Sequence, residues 1–286
     1  MIDYSKFSTK EEVIDYIIQN KSAMIALKKS EIKNADAISY VVPVYNQKGE
    51  EVKASPKTSA DLLKQDSIKV NVVINTTKLM DSHRDVHING IWKQSIKQQK
   101  SFLHLQEHES KFDKIISDTA KGSIKVMKWS DLGYDFEGET EALIFQSEIE
   151  KDRNPFMFEQ YAKGYVKNHS VGMQYIKIEF AANDERYPTE KAVWDKYYSE
   201  IANKDEAERI GYFWAVTEAK IIEGSAVVRG SNYATPTISV KENTDEPLQN
   251  TQTEDKTEDS RQTDTISKDE FINAIQNKFK NNLSWT

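Results

Sequence analysis

The residues best suited to chemistry are a serine at the mouth of an alternating run, a handful of histidines and two glutamates well downstream. Asn168-His169-Ser170-Val171-Gly172-Met173 leads into Gln174-Tyr175-Ile176-Lys177-Ile178-Glu179-Phe180. Side chains of a β-strand alternate between its two faces, so Val171, Met173 and Tyr175 share one face. Ser170, Gly172 and Gln174 share the other, where Ile176, Ile178 and Phe180 follow. That second face is small and polar at one end and apolar at the other. A strand that leaves a core and opens into a cleft has this layout; so does a strand that merely starts in a turn.

A serine becomes a nucleophile when a base takes its proton, and histidine suits that task near neutral pH. The chain has five histidines: His83, His87, His104, His108 and His169. His169 adjoins Ser170 and points to the opposite strand face, so it is a poor base for it. His104 and His108 lie in Phe102-Leu103-His104-Leu105-Gln106-Glu107-His108-Glu109, whose apolar neighbours suggest contact with a core. A carboxylate orienting the imidazole would complete a triad. Glu218, inside the apolar run from Tyr212 to Ile222, and Glu223, at its end, are the candidates. A buried glutamate needs a partner or an open edge; a solvent-facing one needs neither.

His104-Leu105-Gln106-Glu107-His108 also fits H-x-x-E-H. On a helix, its two histidines would hold zinc and Glu107 would act as base. Glu185 and Glu190 are conceivable third ligands. His83 and His87 share the four-residue spacing, but the polar run around them and Gly90 suggest a loop.

Composition narrows the options. The chain has 286 residues, 38% hydrophobic and 30% charged, enough for a sizeable core plus solvated segments. The absence of cysteine rules out disulfides, thiolate nucleophiles and Cys-ligated zinc. The net charge of −7 argues against non-specific nucleic-acid binding. No apolar run reaches membrane-spanning length, and the first residues lack the layout of a secretion signal.

The elements that must position these residues follow from periodicity. Thr9 and Glu12 form a capping box before Val13, Ile14, Ile17 and Ile18, predicting a helix that fades after Lys29. Ile38–Val42 reads as a short edge strand ended by Pro43, and 46–65 as a loop with some helix character at its end. Strands are expected at 68–76, 123–129, 141–149, from Ser170 onward and at 212–222. A short helix is expected at 92–99, and Asn154-Pro155 should start another that Gly164 ends. A long surface helix is expected across 184–210. From Lys241 to Ile266 there are eight acids, three bases and no aromatic residue, a composition expected to be disordered. Ser267 and Glu270 cap a final amphipathic helix carrying Phe271, Ile272, Ile275 and Phe279, the kind of tethered element that docks on a partner. The expected organisation is a helical N-terminal extension (1–66), a main domain (67–240), an acidic linker (241–266) and a terminal helix (267–286).

The order of these segments resembles the prohead maturation proteases of tailed bacteriophages, which share the herpesvirus-protease fold. Gln106-Glu107-His108-Glu109 matches their histidine segment, and Ile115-Ile116 the apolar pair after it. Ser170-Val171-Gly172-Met173 matches the serine strand. Glu223-Gly224-Ser225-Ala226-Val227 matches the Glu-x-Ser-x-Val segment, and Gly230-Ser231-Asn232 the following turn. The resemblance spans residues 68–236. Met173 departs from the aromatic residue common there, Gly224 is unusual inside a strand, and the charged stretch after the serine strand resembles an insertion.

The resemblance implies an α+β fold, a herpesvirus-protease-like β-barrel with surrounding helices. It implies a Ser-His-Glu endopeptidase with Ser170 as nucleophile, His108 as base and Glu223, rather than Glu218, orienting the imidazole. Arg229 stands where related viral proteases keep an arginine-bearing loop that supports the oxyanion. No cofactor is implied. The implied substrates are scaffold segments, extensions of the major capsid protein and the protease itself, cleaved inside the assembling prohead in the host cytoplasm. No membrane or nucleic-acid partner is implied, and a homo-oligomer is compatible. A non-catalytic capsid scaffold with a degenerate protease domain, and the zinc peptidase, are the alternatives.

Overall fold

A computed structural model of the chain describes residues 3–32 and 59–242. The strands are β1 (Ser67–Thr76), β2 (Asp85–His87), β3 (Phe102–Gln106), β4 (Ile115–Lys128), β5 (Glu139–Glu150), β6 (Asn168–Ala182), β7 (Tyr212–Val227) and β8 (Thr237–Glu242). The α-helices are α1 (Lys10–Ser30), α2 (Ser59–Leu62), α3 (Lys93–Gln98), α4 (Pro155–Ala162), α5 (Pro188–Tyr197) and α6 (Lys204–Ile210). The expected strand at Ile38–Val42, the linker beyond Glu242 and the helix at 267–286 lie outside the described residues. Among those described, no helix is long and apolar enough to cross a membrane.

The eight strands form one mixed sheet in the order β2-β7-β3-β4-β5-β1-β8, with β6 pairing β7 on its other side. Two long strands organise it. β7 pairs antiparallel with β6 along nearly its whole length and parallel with β2 and β3 at its two ends. The first half of β4 pairs with β3 and the second half with β5, carrying the chain from one half of the sheet to the other.

The architecture is thus α+β, but the sheet does not close into a barrel as expected. Thr237 Oγ1 donates to Val166 O at 2.7 Å, bringing the start of β8 near the entry to β6, yet no ladder joins the two strands. The two halves are held by face-to-face packing instead. Val70, Val72 and Ile74 of β1 share a core with Val171, Met173 and Tyr175 of β6. A Cβ on Gly224 would stand 2.7 Å from Phe145 and 2.8 Å from Ile74, closer than atoms can pack. Close approach of the two halves therefore accounts for a glycine inside β7.

α1 forms as its cap predicts: Glu12 N–H donates to Thr9 Oγ1 at 3.2 Å, and Ser8 N–H to Glu12 at 2.6 Å. Its buried Val13, Ile14 and Ile17 join the same core, and Lys28 reaches the buried Asp85 at 2.5 Å. Four further sequence expectations need correction. The stretch 184–210 is broken: α5 ends in a 3-10 turn, and Asn203, bonded through its side chain to Met80 N and O, precedes α6. β4 starts at Ile115 rather than near Ser123, and β8 runs through Glu242, past the expected linker start. The simple alternation of β6 also fails. A register shift between Tyr175 and Lys177 leaves Ile176 as an extra residue, exposed beside Lys177. Ile178 and Phe180 thereby return to the core face of Val171, Met173 and Tyr175.

Candidate active site

The β6–β7 ladder is the platform. Ser170 pairs with Ser225, and Gly172 with Glu223. Directly opposed residues of an antiparallel pair share a face, so these four groups project together, away from the Gly224 packing face. A register shift follows immediately, with Ile222 the unpaired residue of β7. Gly172 has a steric reason. A Cβ there would lie 2.0 Å from Glu223 Oε1, so the glutamate carboxylate lies over a glycine seat.

β3 delivers the histidine. It runs parallel to β7 as far as Gln106↔Ala226, then turns sharply. Glu107 and His108 have φ of 51° and 58°, consecutive non-glycine residues in the left-handed region. Such a conformation persists only where its surroundings over-determine it. Here three bonds fasten it to the end of β7: Glu107 N–H to Ala226 O (2.9 Å), Val228 N–H to Glu107 Oε1 (3.1 Å) and His108 N–H to Ser225 Oγ (3.1 Å). The imidazole folds back along β7, placing His108 Nδ1 2.6 Å from Glu223 Oε1. Both side chains are only 7% exposed.

The carboxylate fixes the tautomer. A carboxylate oxygen accepts, so Nδ1 carries a proton, and in the neutral imidazole Nε2 is left with its lone pair. His108 Nε2 is buried and has no hydrogen-bond partner among the described residues. The other carboxylate oxygen, Glu223 Oε2, accepts from Ser225 Oγ at 2.6 Å. Ser225 thus ties the Glu223 carboxylate to the His108 backbone, a role that sequence reading missed. Its buried position, two residues from Glu223 on the same strand face, is the signal that points to it. Ser170 is 5% exposed, and its hydroxyl makes no hydrogen bond to a described residue.

Arg229 lies in the turn after β7, exposed and without an ion pair among the described residues. The same turn passes close to the serine: the Cβ position of Gly230 is 3.7 Å from Ser170 Cβ and 2.9 Å from His169 O. The N–H groups of Arg229 and Gly230 donate to no described residue.

The rival residues are placed elsewhere. Glu218 is half-buried and paired with the exposed Lys177 at 2.5 Å. His104 sits in a strand, not on a helix, fully buried on the opposite face and pairing with Gly224. The H-x-x-E-H residues therefore do not share a helix face, which removes the geometry the zinc reading needs. Among the described residues no cluster of three or more His, Asp or Glu has metal-holding geometry. Glu190 is buried and bonded to Lys21, while Glu185 lies at an exposed turn. His87 is buried, with Nδ1 donating to Asn75 Oδ1 at 3.0 Å, and burial pulls its pKa down to about 4.

His104 belongs to a separate chain of hydrogen bonds. His169 Nδ1 donates to Thr235 O at 2.9 Å, so His169 Nε2 accepts from Tyr161 OH, also at 2.9 Å. The Tyr161 oxygen then accepts from His104 Nε2–H at 3.1 Å, and His104 Nδ1 accepts from Ser147 Oγ at 2.9 Å. Burial lowers His169 to about 4, moves His104 well below the usual histidine value and raises Tyr161 well above the usual tyrosine value. All three groups are held neutral.

No family model, curated protein or solved structure matches the chain.

Proposed function

We propose that this chain is a serine endopeptidase with a Ser170-His108-Glu223 triad, related in fold and role to the herpesvirus-protease-like prohead maturation enzymes. The observation that carries this is the buried His108–Glu223 hydrogen bond. It leaves Nε2 an unpartnered base over the strand face that bears Ser170. An acid that only balanced charge could sit on the surface; this one lies on a glycine seat and is held from its other oxygen by Ser225.

In this mechanism His108 Nε2 takes the proton from Ser170 Oγ as the oxygen attacks a peptide carbonyl. The Ser170 Oγ–carbonyl carbon bond forms, and His108 then gives its proton to the leaving amine as the C–N bond breaks. Water repeats the sequence to release the acyl group. Glu223 holds the tautomer and favours the imidazolium that forms. The unused N–H groups of Arg229 and Gly230 are the candidates for stabilising the oxyanion, with the Arg229 side chain adding positive charge nearby. The substrates would be scaffold and capsid-protein segments in an assembling prohead, and the enzyme's own chain.

The test is self-processing of the full chain, followed by intact mass for wild type and Ser170→Ala, with and without a chelator. Cleavage by wild type that is lost in Ser170→Ala and indifferent to chelator supports the triad. Loss with chelator alone, or a wild type that never cleaves, contradicts it.

A further inference from the structure

A second cluster of functional groups lies outside the triad. The turn between β1 and β2 places Arg84 at φ 62°, another non-glycine residue in the left-handed region. Asp81 holds that turn: its Oδ1 accepts from His83 N–H and Asp85 N–H, and its backbone O accepts from Arg84 N–H. Arg84 is pinned on the other side as well, its backbone O accepting from Trp214 N–H at 2.8 Å. The side chain is directed between two rings. Its guanidinium carbon lies 3.8 Å from the centre of Tyr4 and 5.0 Å from that of Tyr212. The two tyrosines are in turn joined through their hydroxyls at 3.1 Å.

Stacking satisfies the faces of a guanidinium but leaves its N–H edge unused. None of the guanidinium N–H donors of Arg84 meets an acceptor among the described residues. Arg84 lines a cleft of about 230 Å³ whose other walls include Phe7, Lys10, Val13 and Arg209. Three cations and no acid line it, in a chain of net charge −7. Of the acids close by, Asp85 is engaged with Lys28 and Tyr175; Glu206 pairs with Arg209 at 3.7 Å and accepts from Asn203, so Arg209 is partly offset while Arg84 has no ion pair among the described residues. Burial pulls the Arg84 guanidinium below its ordinary value; Tyr4 and Glu206 act against this and Arg209 adds to it. A half-buried arginine beside other cations, its edge without a protein acceptor, gains charge-assisted hydrogen bonds when an anion joins it.

We infer that the Arg84–Lys10–Arg209 cleft is a binding site for an oxyanion, a carboxylate or phosphate group, seated on the N–H edge of Arg84. The aromatic and aliphatic walls would accept an apolar body attached to that anion. The site is independent of the triad, and its test does not use cleavage.

The full chain is titrated with inorganic phosphate and, separately, with acetate. Thermal unfolding is followed against sodium chloride at matched ionic strength. The expected result is a saturable rise in Tm in wild type with at least one anion, lost in Arg84→Met and weakened in the exposed-residue variant Arg209→Ala. The arm that saturates at lower concentration identifies the anion class. Arg84→Lys, which keeps the charge but not the fork, should bind more weakly than wild type. A response no larger than that to chloride, or an equal response in Arg209→Ala and wild type, overturns the inference. The second variant keeps the test decisive if Arg84→Met does not fold.

Discussion

Two histidine-bearing regions flank the same pair of strands and are used in opposite ways. On one face, His108 faces a carboxylate and keeps one nitrogen unpartnered. On the other, His104 and His169 are paired at both nitrogens through Ser147, Tyr161 and Thr235, and are neutralised by burial. Both regions are buried, so burial alone does not distinguish them. The difference lies in whether a charged partner stands by and whether a lone pair is left over. The first arrangement can move a proton; the second has nowhere to send one.

The largest expected effect separates the two regions by activity. His108→Ala should lower turnover by at least ~10⁴-fold, because base and nucleophile act as a unit. Tyr161→Phe should leave turnover per folded molecule within about threefold of wild type, since it removes no charge from the reaction. Kinetics on purified folded protein with a processed-site peptide would check both. Comparable losses in the two variants would abolish the distinction.

Ser225→Ala tests what steadies the proposed base, His108. It removes a hydrogen bond to a buried carboxylate, an interaction worth about 1.5–3 kcal/mol, so a fall in kcat of about 10- to 100-fold is expected. KM should change little, because Ser225 faces the acid rather than solvent. A loss expressed only in KM would point to a substrate-binding role instead.

The structural region should show itself in stability. His169 has its pKa lowered by burial to about 4 in the folded chain, against 6.5 ordinarily. Between those values the unfolded chain binds the extra proton, so stability must rise with pH across that window. The contribution is complete above pH about 6.5 and is lost progressively as pH falls towards 4; a shift of this size corresponds to about 3 kcal/mol. Denaturant unfolding of wild type and His169→Gln at pH 4.5 and 7 checks the sign: the gap between the two proteins should be wider at pH 7. Tyr161→Phe, which strips a partner from both histidines, should cost about 1–3 kcal/mol at pH 7. The smallest effect belongs to Glu218→Gln, which weakens an ion pair to the exposed Lys177 and is expected to fall within about 1 kcal/mol of wild type.

The comparison also marks what could be read from sequence. Periodicity separates Ser170 from His169, because adjacent strand residues must face apart. The Thr9–Glu12 capping box and Asn154-Pro155 place α1 and α4 to within a residue or two. Local pattern cannot see a register shift, so Ile178 and Phe180 are assigned to the Ser170 face when the extra residue at Ile176 turns them back. Gly172 and Gly224 look alike as strand glycines. Only the fold shows that one seats a carboxylate and the other admits Phe145 and Ile74. The choice between His104 and His108 is likewise long-range, since Glu223 and Tyr161 lie far from both in the chain. The open sheet is invisible for the same reason: barrel closure depends on whether distant strand edges meet.

The central claim is that the His108–Glu223 pair activates Ser170 and that the other buried histidines do not. Labelling with an organophosphorus fluoridate, read by intact mass and peptide mapping, tests it most directly. The account predicts a single adduct on Ser170 in wild type and in Tyr161→Phe, and none in Ser170→Ala or His108→Ala. Equal labelling of Ser170→Ala, or labelling of Ser170 that survives His108→Ala but is lost in Tyr161→Phe, would contradict it.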